Sequence, residues 1–124
     1  MTYAFTEARL PESPAESEIQ AALASEGKAI LQSCRGKIIA MCIEGKERSS
    51  EEFAQMLDTA AVSGDSTVSF VIGSSFGLSD EVKKAADMRF SMSPMTFTHQ
   101  IARVLLTEQL YRAFQISTGG KYHK

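Results

Sequence analysis

The chain has 124 residues, 44% hydrophobic and 23% charged, the make-up of one globular domain and too short for two large ones. No apolar run approaches the ~20 residues that a membrane-spanning helix needs; the longest clean one is Ile38 to Ile43. The net charge of −2 hides an asymmetry: residues 1–88 carry −6, whereas residues 89–124 carry +4 through Arg89, Arg103, Arg112, Lys121 and Lys124 against Glu108 alone.

A chain of this length buries roughly two thirds of its unfolded surface, enough for a single core. Residues 1–8 show neither the basic start nor the long apolar stretch of a signal peptide. Cys34 and Cys42 are too few for a disulfide framework, which predicts reduced thiols and a cytoplasmic setting. A basic C-terminal third suits an anionic partner, although five cations can equally form a solvated face.

In chain order, Tyr3 to Thr6 could form a short strand. Ser13-Pro14-Ala15-Glu16 is a capping box with Pro at the first helical position, and Ile19, Leu23 and Ile30 carry the period onward, predicting a helix from about Pro14 to Gln32. Lys37 to Ile43 reads as a buried strand, ended by Glu44-Gly45-Lys46. Ser49-Ser50-Glu51-Glu52 is a second capping box. Behind it Phe53, Met56, Leu57, Ala60 and Ala61 make one apolar face, with Gly64 as the stop. Thr67 to Ile72 is a second strand and Gly73 to Leu78 a loop. Ser79 caps a short helix through Ala86, and Met88 to Met92 is a short third strand. The last helix starts near His99, carries Ile101, Val104, Leu105, Ala113 and Phe114, and ends at Gly119-Gly120.

Strands separated by helices imply a parallel sheet with helices on its faces. Ligands of such sheets sit outside the C-terminal strand ends. Those ends are the Gly45 turn, the Gly73–Ser79 loop and the Met92–Thr98 segment, gathered at one rim. A sheet this small with one stub strand also leaves an edge that needs covering.

Gly73-Ser74-Ser75-Phe76-Gly77 matches G-x-S-x-G between a strand and a helix, and Ser75, Asp87 and His99 or His123 follow in hydrolase order. The chain is too short for the sheet of such an enzyme, and a second oxyanion-hole motif is missing. The same glycines could present backbone N–H groups to a ligand, or simply make a tight turn. His99 and His123, and Cys34 and Cys42, show no zinc-ligand spacing. Taken alone, Met88, Met92 and Met95 are core filler, His99 belongs to its own turn, and Arg103 and Arg112 are solvated.

From Val68 onward several ordered motifs stand together: Phe70-Val71-Ile72-Gly73-Ser74-Ser75-Phe76-Gly77-Leu78-Ser79, Met92-Ser93-Pro94-Met95-Thr96-Phe97-Thr98-His99-Gln100, Glu108 to Ala113, and Tyr122-His123-Lys124. They resemble the ribosomal RNA large subunit methyltransferase H family, a SPOUT-class group, over roughly Arg9 to Lys124. The resemblance implies an α/β fold, one domain over residues 1–124, whose parallel sheet has helices on both faces and a C-terminal trefoil knot. It implies transfer of a methyl group from S-adenosylmethionine to N3 of a pseudouridine in 23S ribosomal RNA, with the ribosome or its large subunit as partner and a homodimer as the working form. No metal and no membrane enter that chemistry.

By the same resemblance, Met41, Gly73 and Met92, Ser93, Pro94, Met95, Thr96 and Phe97 bind the cofactor. Arg112, Tyr122 and His123 act at the target base, while His99 shapes the cofactor loop. Family members usually have a second glycine at Ser74 and a proline at Thr98. They also begin with a further strand and helix, this chain starting at about their second strand. An inactive remnant that binds cofactor or RNA at most is therefore the alternative function, with a serine hydrolase a distant third.

Overall fold

In a computed structural model, the structure describes residues 16–64, 67–73, 77–121 and 123. The elements are α1 (Glu16–Ser33), β1 (Lys37–Glu47), α2 (Ser50–Val62), β2 (Val68–Ile72), α3 (Asp80–Ala85), β3 (Met88–Ser91) and α4 (His99–Ser117). Their order matches the alternation expected from sequence. The stub Tyr3–Thr6, the cap at Ser13 and the nucleophile candidate Ser75 lie outside the described residues.

The three strands form a parallel sheet in the order β2-β1-β3. With β1 central, its two neighbours are reached by crossovers to opposite sides, and the strand period of two sends alternate residues to opposite faces. Ile39, Phe70 and Phe90 enter one apolar cluster with Phe53 and Ala60 of α2 and Leu106 and Ala113 of α4. Ala40 and Val71 enter a second with Ile30 of α1 and Val82 of α3. Helices therefore cover both faces, as the strand–helix pattern requires. The ring of Phe53 sits 6.0 Å from that of Phe70 and 5.2 Å from that of Phe90, centroid to centroid, knitting α2 to the outer strands.

Helix starts follow the caps. Ser49 Oγ accepts from the Glu52 amide at 3.1 Å while Glu52 Oε1 accepts from the Ser49 amide at 2.9 Å, closing the capping box. Ser79 caps α3 by accepting from the Val82 amide, and Thr98 caps α4 by accepting from the Ile101 amide. A threonine at residue 98 thus supplies an orphan-donor partner that a proline could not.

Two expectations change. β1 does not stop at Ile43: after an irregular stretch between Met41 and Lys46 it pairs again with β3, Lys46 opposite Phe90 and Glu47 opposite Ser91. Gly45 permits this, because a Cβ there would lie 2.7 Å from the Phe90 backbone nitrogen and carbonyl carbon. Ala61 is exposed, so the apolar face of α2 runs through Ala54 instead. On α4, Leu106 and Ala113 point inward, while Ile101, Val104, Leu105 and Phe114 are exposed.

Candidate functional site

A cavity of about 360 Å³ opens at the C-terminal ends of the strands. Its walls come from the β1 bulge (Met41, Cys42, Ile43, Glu44), the end of β2 (Ile72, Gly73), the β3–α4 segment (Met92, Ser93, Met95, Thr96, Phe97) and the first turn of α4 (His99, Ala102). The rim anticipated from the strand ends is thus real. Among the residues singled out for a cofactor, Met41, Gly73, Met92, Ser93, Met95, Thr96 and Phe97 line the cavity. Pro94 does not; it is exposed, with Ser93 and Met95 on either side turned to the wall.

Local hydrogen bonds explain this segment. Ser91 Oγ, buried, donates to the Ser93 carbonyl at 3.0 Å, and Ser93 Oγ accepts from the Met95 amide at 3.0 Å. Together they fold the chain tightly between β3 and α4. On the other wall, a Cβ at Gly73 would lie 2.4 Å from the Gly77 carbonyl oxygen, so the two backbones approach this closely only with glycine at residue 73.

The chemistry of the lining is mixed. Thioethers, aromatic rings and aliphatic chains dominate, with hydroxyls at Ser91, Ser93 and Thr96. Burial, with the nearby Glu44 carboxylate second, pushes the Cys42 thiol up, so it stays protonated at neutral pH. Burial likewise pushes Cys34 up, and both cysteines are free. Glu44 forms an ion pair with Lys83 of α3, and that hydrogen bond is the main cause holding its carboxyl below the usual range.

Asp87 accepts from the Ile38 amide through Oδ2 at 2.8 Å, and its own amide donates to the Ile38 carbonyl at 2.8 Å. Both residues stand at strand beginnings, the end of the sheet opposite Gly73 and His99. Asp87 therefore cannot orient His99 in a triad, which removes the orienting member of the hydrolase order. No group of three or more His, Cys, Asp or Glu side chains suited to a metal ion occurs among the described residues, and none of their helices is long and apolar enough to cross a membrane.

A second constellation lies where α2 meets α4. Ser50 Oγ donates to Gln109 Oε1 at 2.8 Å, and Gln109 Nε2 donates to Glu108 Oε2 at 2.9 Å. Arg112 donates to Glu108 Oε1 through Nε at 3.1 Å and Nη2 at 2.7 Å, and through Nη1 to His123 Nδ1 at 3.0 Å. His123 Nε2 reaches Glu51 Oε1 at 2.5 Å, which returns the circuit to the first turn of α2. Arginine is donor only, so Nδ1 accepts and the ring proton sits on Nε2. The His123 hydrogen bond is the largest cause lowering the Glu51 carboxyl.

Arg112 and His123 are thus brought together, while Tyr122 lies outside the described residues. Neither Arg112 nor His123 lines the cavity. Arg112 stands thirteen residues beyond His99 on α4, about 20 Å of helical rise. Glu51 and Glu108 complete the constellation. Glu51 was read only as a capping-box residue, and its pairing with His123 across 72 positions leaves no local signal.

Comparison with known proteins decides the family. The family model described as "Predicted SPOUT methyltransferase" matches residues 1–123. The chain belongs to the SPOUT methyltransferase family. It is 46% identical over 121 residues to the ribosomal RNA large subunit methyltransferase H of Streptococcus thermophilus, covering 96% of this chain and 76% of that protein. To the proteins of that name from Lactiplantibacillus plantarum and Bacillus thuringiensis it is 46% and 48% identical over 118 residues, covering 94% of this chain and 74% of each. These similarities place it within the methyltransferase H group of SPOUT proteins.

Proposed function

We propose that this SPOUT protein transfers a methyl group from S-adenosylmethionine to N3 of a pseudouridine in the 23S ribosomal RNA of the large subunit, in the cytoplasm. The observation that carries the proposal is that the residues matching the family's cofactor loops, Pro94 excepted, line one cavity at the strand ends.

The residues present fit that cofactor. The cavity of about 360 Å³ falls within the size of small-molecule sites. Phe90 and Phe97 offer apolar surface to a purine, the methionines a soft lining, and the hydroxyls of Ser93 and Thr96 partners for a ribose. Close backbone approach at Gly73 leaves peptide groups to meet the ligand without an intervening side chain. When bound, the cofactor supplies a methyl group already activated by positive sulfur.

The chain's own residues then have two tasks. Met41, Gly73 and the 92–97 segment hold and orient the ligand and exclude water, fixing the line of displacement. Arg112, Tyr122 and His123 receive the target base, whose N3 must lose its imide proton before it can attack. The Glu108 and Glu51 carboxylates hold the Arg112 guanidinium and the His123 ring, so both arrive oriented. The base itself must come from an RNA loop rather than from inside a helix.

Separation of the two constellations supports a homodimer. Arg112 lies about 20 Å along α4 from the cavity's His99, so one chain alone leaves its base-handling group far from its own methyl site. Exposed Ile101, Val104 and Leu105 lie on α4 between them, offering an apolar surface to a second copy. The C-terminal trefoil knot of the family belongs to this same proposal.

The first experiment is thermal unfolding with S-adenosylmethionine or its demethylated product. Ligands that bind only the native state raise Tm by mass action. A rise saturating with ligand is expected; no shift and no calorimetric heat at millimolar ligand would overturn the cofactor assignment.

A further inference from the structure

We propose that Glu44 and Lys83 form the subsite for the amino-acid end of the cofactor, Glu44 taking its ammonium group and Lys83 its carboxylate; the proposal rests on the cofactor reading above. Both residues line the cavity, Glu44 from the bulge of β1 and Lys83 from α3, and an ion pair joins them across its wall. Among the described lining residues they are the ones that carry full formal charge of opposite sign.

S-adenosylmethionine presents two unlike regions. Its adenosine suits the apolar and backbone-rich part of the cavity, whereas its amino acid is a zwitterion that loses solvation wherever it lies against protein. A carboxylate and an ammonium side by side meet both ligand charges at once. Breaking the resident pair costs little, because its side chains are 49% and 24% exposed and water screens them. After exchange, each protein charge still faces an opposite one, so no charge is left unpaired.

The surroundings favour the charged form of Glu44. Lys83 and then Arg89 of β3 favour the Glu44 carboxylate, and the neighbouring Cys42 remains a neutral thiol at neutral pH. Backbone geometry sets the positions: Gly45 lets the β1 bulge lie against Phe90, which places Glu44 on the wall, while the Ser79 cap fixes the start of the short helix bearing Lys83.

Calorimetry with two probes tests the assignment. S-adenosylhomocysteine carries the amino-acid end; 5′-methylthioadenosine lacks it. The wild type is expected to bind the first about tenfold or more tighter, as paired charge-assisted contacts imply. Lys83→Met and Glu44→Gln should each erase most of that preference while leaving methylthioadenosine affinity within about twofold. The double substitution Glu44→Gln with Lys83→Met removes both charges while keeping side chains of similar length, so it should still bind methylthioadenosine and lose the preference. Variants that bind S-adenosylhomocysteine as the wild type does, or that lose both probes equally, would show a structural clip only and overturn the proposal. A wild type that binds neither probe would overturn the cofactor reading itself, which is a different failure.

Discussion

The Arg112 guanidinium donates through Nη1 to Nδ1 of His123, 3.0 Å away, and through Nε and Nη2 to the Glu108 carboxylate. The guanidinium serves the carboxylate through two nitrogens and the ring through a third in one fixed plane, a spread that the one ammonium nitrogen of lysine cannot reproduce. Arg112→Lys is therefore expected to lower methyl transfer by about a hundredfold, the scale of losing one positioned donor at a reacting group. Calorimetry should show unchanged cofactor affinity, because Arg112 does not line the cavity. Unimpaired transfer by Arg112→Lys would contradict the assignment.

Removing residues 122–124 makes the same point from the tail. These residues follow the end of α4 in the chain, and His123, the described one, belongs to neither apolar cluster, so their loss should cost little stability. Cofactor-induced melting shifts should persist while methyl transfer disappears. Equal activity with and without the tail would remove Tyr122 and His123 from the chemistry.

Substitution at Gly73 tests whether the end of β2 holds the cofactor. A Cβ there would meet the Gly77 carbonyl oxygen at 2.4 Å and its carbon at 2.5 Å, both backbone atoms that no side-chain rotation can clear. Gly73→Val must therefore displace the loop, and the melting shift produced by S-adenosylhomocysteine should vanish. A variant that still shows the full shift would mean that this loop does not hold the ligand.

Phe53 is 2% exposed and packs between Phe70 and Phe90. Phe53→Ala is expected to cost about 3–5 kcal/mol, the range for emptying an aromatic site in a core. Chemical denaturation would check it; a loss below about 1 kcal/mol would show a core that collapses around the gap.

Glu26, 8% exposed on α1, has Oε2 buried without a hydrogen-bond partner among the described residues, and burial pushes its carboxyl up from 4.5. An acid raised in the folded state keeps its proton there after the unfolded chain has lost it. Stability thus falls as pH rises from the ordinary value of 4.5 through the raised one. Glu26→Gln should match the wild type near pH 4 and exceed it at pH 7 by about 1 kcal/mol. A constant difference across that range, measured by denaturant titration, would place the effect elsewhere.

Much of the architecture was legible because its signals are local. The Ser49–Glu52 capping box, Ser79 ahead of Val82 and the apolar run of β1 each announce themselves within a few residues, and parallel-sheet logic gathers the strand ends. Glu44-Gly45-Lys46 misled for a physical reason. It has the composition of a turn, but Gly45 serves close approach to Phe90, contributed by a strand more than forty positions away. The pairings Glu44–Lys83 and Glu51–His123 join elements that only the folded sheet brings together.

Radiolabelled methyl incorporation shows whether the protein methylates large-subunit ribosomal RNA. Ribosomes lacking the modification are incubated with the protein and methyl-labelled S-adenosylmethionine, Gly73→Val serving as the blank. The 23S RNA is then digested to nucleosides. One labelled nucleoside, a pseudouridine methylated at N3, is the expected result, with none from the blank. Absence of label from 23S RNA, in a preparation whose cofactor binding calorimetry has verified, would contradict the account.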